Sequence, residues 1–86
     1  MNINKLIAIV KNKLEKEIVI QDIKIEDKSF LHKNHKGHQE GKFHLKLMIK
    51  SNELAKSSKI VSTKRIYSVL DLELKEHIHS IQILLN

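Results

Sequence analysis

Residues 42–51 read KFHLKLMIKS. Phe43, Leu45, Leu47 and Ile49 fall on one side of a period-two pattern, and His44, Lys46, Met48 and Lys50 on the other. Alternation sustained over this length is the mark of a strand with one buried face. His44 shares its side with lysines, so it is expected to be structural or exposed.

Working outward, residues 18–27, IVIQDIKIED, are rich in β-branched residues, and Ile23 and Ile25 alternate with Asp22, Lys24 and Glu26. This predicts a first strand, antiparallel to the one at 42–51. Before it, Ile3, Leu6, Ile7, Val10 and Leu14 recur at spacings of three and four, the stripe of an amphipathic helix over 3–16. Asn2 or Asn4 is placed to cap it. A helix lying on a membrane surface is the lesser alternative, since the segment has no Trp or Phe. After the central strand, residues 52–61 read as a turn or short irregular helix. A second helix is then expected from Ser62 or Thr63 to about residue 77, with Ile66, Val69, Leu70 and Leu74 as its stripe. The end, HIHSIQILLN, alternates Ile81, Ile83 and Leu85 against Ser80, Gln82 and Leu84, a third strand.

The order is α-β-β-α-β, an α+β fold in one domain spanning 1–86. A strand–helix–strand crossover is right-handed with parallel strands. The sheet is therefore expected to be three-stranded and mixed. Its first two strands run antiparallel, its last is parallel to the second, and the helices pack on one face.

With 86 residues, the chain buries only about 60–65% of its unfolded surface, enough for one thin core. There is no cysteine, which excludes disulfides, a thiolate metal site within the chain and a cysteine nucleophile. It also fits a reducing compartment, and a cytoplasmic location is expected. The start of the chain lacks a signal-peptide cleavage pattern, and no stretch approaches the roughly 20 apolar residues of a membrane span. The formal net charge of +6 favours polyanions but is spread as lysine over every segment. With three aromatics, the chain is poor in platforms for stacking bases. No nucleophile–base constellation and no phosphate-cradling loop is present, so an enzyme is not expected.

The connection between the first two strands, 28–41, is longer than a hairpin needs and carries both glycines. His32, His35 and His38 are spaced three apart within it, and His77 and His79 sit where the second helix becomes the third strand. In this topology the loop and that junction could lie at the same end of the sheet, and a loop histidine could then approach His79. Surface histidines in a polar loop are one reading. A mononuclear zinc site of three loop histidines is another, although zinc usually takes a more rigid set. Iron–sulfur clusters are held mainly by thiolates, so a chain without cysteine could contribute imidazoles to one only if a partner brought the sulfur.

The chain resembles the BolA-like proteins, whose fold is related to the class II KH domain. Ser29-x-x-His32 is similar to the family's S-x-x-H at the head of its variable loop. His32-x-x-His35-x-Gly37-His38 resembles members that use histidine there. His44-Leu45 resembles the H-F start of the second strand. Ile66-Tyr67-Ser68-x-Leu70 with Glu73-Leu74 resembles the second helix, and His77-Ile78-His79-Ser80 the I-H-A segment, His79 matching its histidine. The resemblance covers roughly residues 5–85. It departs at Ser62-Thr63-Lys64, where the family usually has Arg-His-Arg, and at Leu54-Ala55-Lys56 in place of F-x-G. The family's tail after the last strand is missing, leaving that strand less covered.

The resemblance implies a protein that pairs with a monothiol glutaredoxin and shares a [2Fe–2S] cluster with it, the partner and its glutathione supplying thiolates. His79 would be the fixed ligand and His32 the loop ligand, with His35 as its substitute. The role would lie in cluster handling or iron regulation, the free chain being a monomer or weak homodimer. The alternative is a KH-like DNA-binding regulator of morphology or stress response. The basic run from Lys56 to Arg65 supports it, with Lys59, Lys64 and Arg65 as contacts to partner or nucleic acid, but the Gly-x-x-Gly clamp of KH domains is lacking.

Overall fold

In the computed structural model, residues 1–29 and 42–86 are described. The elements follow the order α1 (Ile3–Glu17), β1 (Asp22–Asp27), β2 (Phe43–Lys50), α2 (Asn52–Ala55), α3 (Lys59–Val69), α4 (Asp71–Glu76) and β3 (Ile78–Leu85). The strands form one sheet in the order β1-β2-β3. β1 runs antiparallel to β2, with Ile25 opposite Leu47, and β3 runs parallel to it, with Leu47 opposite Ile83. This is the mixed sheet expected from the sequence.

The core is what the two periodicities deliver. Leu6, Val10 and Leu14 of α1 meet Leu45, Leu47 and Ile49 of β2, closed by Ile18, Leu54, Ile66, Leu70 and Ile78. Asn2 caps α1, its side-chain oxygen accepting from the Lys5 N–H at 2.8 Å. No helix among the described residues is long and apolar enough to cross a membrane.

Three boundaries differ from the sequence expectation. The first strand begins at Asp22, not residue 18. Ile18 is instead the C-cap of α1 and buries its side chain in the core, while Val19 is exposed and gives its carbonyl to Ser51 Oγ at 2.7 Å. The second helix begins at Lys59, because Ser58 caps it by accepting from the Val61 N–H at 3.2 Å. Ser62, expected near the start, is inside the helix and buried, its hydroxyl donating to the Leu54 carbonyl. That helix also breaks at Leu70, where φ is −98° and ψ 16°, into α3 and α4. Beyond the break the buried position after Leu70 is Glu73, with Leu74 only partly covered.

Ser51 joins three segments. It is buried, caps α2 by accepting from the Leu54 N–H at 3.1 Å, and donates to Val19. Ser51→Ala is expected to lower unfolding free energy by about 1–2 kcal/mol, since it removes both a helix cap and the hydrogen bond to the Val19 carbonyl. Urea denaturation checks this, and a shift in midpoint without a change in slope is the expected form.

Candidate functional site

The end of the sheet where β2 begins gathers three chain segments. Asp27 closes β1 and its carboxylate accepts from the Ser29 N–H at 2.9 Å, a local turn of the kind aspartate favours. The Lys28 N–H donates to the His44 carbonyl at 2.7 Å, and Ser29 Oγ accepts from the His44 N–H at 3.0 Å. On the other side the Phe43 N–H donates to the His77 carbonyl at 2.9 Å. Both stems of the long connection, and the junction of α4 with β3, therefore meet at one end of the sheet.

The register there is irregular. Phe43 lies opposite Ile78, but His44 lies opposite Ser80. One residue of β3 has no counterpart in β2, and that residue is His79. Bulges are uncommon in parallel pairs and tend to sit where a side chain must be re-aimed. Here the bulge presents His79 to solvent. Its neighbour His44 is not exposed: only 6% of its surface is accessible. The two rings lie with centroids 4.8 Å apart, tilted by 43°. His44 Nδ1 is also hydrogen-bonded to Ser80 Oγ at 2.6 Å.

Of the two roles expected for His44, structural or exposed, the structure gives the first: the residue is buried. Period-two alternation places it correctly on the face of Lys46 and Met48, and the bulge stands beside it. Among the described residues of that face of β2, it alone is buried. Ser80 was also not singled out for any role of its own. The sequence carried the irregularity only as adjacent His79 and Ser80, which alternation cannot distinguish.

His32, His35 and His38 lie outside the described residues. His77 is partly buried, with Nε2 3.7 Å from a Glu76 carboxylate oxygen. The basic candidates do not gather with His79. Lys59 lines a cavity of about 260 Å³ with Ile49, Leu85 and Asn86, at the opposite end of β3. Arg65 is exposed but held by contacts within the chain, to the Glu17 carbonyl at 2.7 Å and to the Glu53 carboxylate at 2.8 Å. Lys64 is exposed on α3. Among the described residues, no three His, Cys, Asp or Glu side chains cluster as a metal site.

The model of the family described as BolA-like protein matches residues 14–86. The chain belongs to the BolA-like family. Solved structures agree with this assignment. The BolA domain of SufE1 from Arabidopsis thaliana superposes with a TM-score of 0.77 at 30% identity, covering 92% of this chain and 87% of that one. BolA1 from Arabidopsis thaliana gives 0.76 at 23% identity, with coverages of 91% and 86%. A bol-like protein from Babesia bovis gives 0.71 at 17%, with coverages of 91% and 79%. The last two show likeness of fold. No curated protein is a significant match. In this BolA-like chain, the site built from the residues upward is an exposed imidazole on a strand bulge, backed by a buried one and flanked by the stems of a histidine-bearing loop.

Proposed function

We propose that this BolA-like protein is a non-enzymatic adaptor. It pairs with a monothiol glutaredoxin and shares a [2Fe–2S] cluster with it, in iron–sulfur cluster handling or iron regulation. The observation that supports this reading best is the exposed His79 at the end of the sheet from which the histidine loop departs. Ser29 is anchored on His44, and His32 follows three residues later, a reach of at most about 10 Å. His32 is then the loop ligand, with His35 as the substitute. The donors suit such a cluster only as half of a site. The chain has imidazoles but no cysteine, so the thiolates come from the partner and its glutathione. Bound in this manner, the cluster would supply one-electron redox chemistry at a potential raised by its imidazole ligands.

This chain's part is to offer a fixed imidazole and an adaptable one. His79 is set by the strand pairing on both sides of it. The loop ligand is carried on a connection whose stems are held at this end of the sheet.

The test is to mix the protein with cluster-loaded glutaredoxin and record visible absorption and CD. A spectrum that is not the sum of the parts is expected; a simple sum would reject the pairing. The alternative of a DNA-binding regulator receives less support. Lys13, Lys16 and Arg65 line an open groove of about 510 Å³, but Lys13 and Arg65 are already paired with carboxylates. DNA binding is therefore expected to be non-specific and to fall steeply with salt, as counterion release requires. A titration from low to physiological salt checks this, and sequence-specific binding that survives it would favour the alternative.

A further inference from the structure

We propose that His44 is the positioning residue of this site: its buried ring holds the His79 imidazole in place, and its backbone N–H holds the foot of the loop beside it. The positioning concerns the free protein; only its consequence for a bound cluster rests on the function proposed above.

Three contacts converge on His44. Its ring lies 4.8 Å from that of His79. Its Nδ1 meets Ser80 Oγ at 2.6 Å. Its N–H donates to Ser29 Oγ at 3.0 Å. Ser80 follows His79 in the chain and Ser29 opens the connection between β1 and β2, so one residue touches both the strand that carries His79 and the foot of the loop. The contact with His79 stands where the register slips by one residue between Phe43 and His44.

The choice of histidine at this position has a physical reason. Lys46 and Met48 on the same face remain partly accessible. A lysine at 44 would extend its charged end to water and leave the His79 ring without a flat surface. A leucine would fill the space but give Ser80 no partner. An imidazole supplies both a flat face and a hydrogen-bonding nitrogen. The nitrogen also offsets the penalty of burying a polar ring. A ligand already held in one rotamer loses less freedom when it binds. Groups that orient a ligating imidazole are typically worth about 10–100-fold in metal affinity.

The experiment measures His79 first in the free protein, by NMR three-bond couplings that report its χ1 distribution. The wild type is expected to show one rotamer. His44→Leu is expected to show averaged couplings, with amide shifts away from this end of the sheet unchanged. His44→Asn, which can keep the Ser80 bond, should retain part of the ordering, and Ser80→Ala should lose part of it. The last two carry the test even if His44→Leu does not fold. With cluster-loaded glutaredoxin, His44→Leu should hold the mixed complex about 10-fold or more weakly, and His44→Asn should recover part of the loss. Unchanged His79 couplings in every variant that folds would overturn the proposal. Ordering that depends on His44, in a protein whose wild type gives no mixed spectrum, would uphold the positioning and reject the function.

Discussion

Replacing His79 with alanine is expected to remove the mixed visible CD spectrum and leave the fold intact. The side chain is exposed, so its loss should change stability by no more than about 0.5 kcal/mol. The effect on the shared site should be near complete, because no other exposed imidazole among the described residues lies at this end of the sheet. The potential offers a second readout. Two imidazoles on one iron raise it relative to all-thiolate ligation, by roughly 250 mV or more between Rieske centres and plant-type ferredoxins. Wild type with glutaredoxin should therefore titrate above the glutaredoxin alone, and His79→Ala should return it to the glutaredoxin value. An unchanged spectrum and potential in the variant would show that His79 is not a ligand.

The largest loss of stability should follow Lys13→Met. Glu73 is 4% exposed, and its Oε2 meets Lys13 Nζ at 2.7 Å. Its other oxygen has no hydrogen-bond partner among the described residues. The pair joins α1 to α4 across 60 positions of sequence. Removing the lysine strands a buried carboxylate, which costs about 3–5 kcal/mol in well-buried pairs. Lys13 is itself 39% exposed, so the lower end, about 3 kcal/mol, applies. Against a total near 5–10 kcal/mol this is a large fraction, equivalent to a fall in Tm of about 12–24 °C. The double variant Lys13→Met, Glu73→Leu should recover most of it, since an apolar pair of similar volume removes the stranded charge. Thermal and urea denaturation of both proteins check the pair. A Lys13→Met protein within about 0.5 kcal/mol of wild type would mean that Glu73 reaches water without help.

The two cases show what the sequence could and could not reveal. Strand β2, helix α1 and the strand order were legible because each carries a clean period, two for Phe43 to Ile49 and three to four for Leu6 to Leu14. The breaks were not. Ser62 or Thr63 is a plausible helix start by residue type, but Ser58 caps the helix and Ser62 is buried against the Leu54 carbonyl, which only packing reveals. Glu73 occupies a core position on the stripe of Ile66 and Leu70, and a charge there is read as surface until its partner 60 residues away is seen. His79 stood out because it lies at an element junction. His44 did not, because it stands at a one-residue slip in pairing, and period-two reasoning assumes that no slip occurs. His32 and His35 lie outside the described residues, and their assignment rests on the loop's stems and the resemblance.

The most direct measurement is pulsed EPR on the reduced cluster shared between glutaredoxin and this protein labelled with 15N-histidine. Two strongly coupled nitrogens are expected, one lost in His79→Ala and the other in a loop variant, His32→Ala or, if His35 substitutes, the double variant. A spectrum with no coupling to labelled histidine, or one that His79→Ala leaves unaltered, would contradict the convergence of two imidazoles from this chain on a partner's iron.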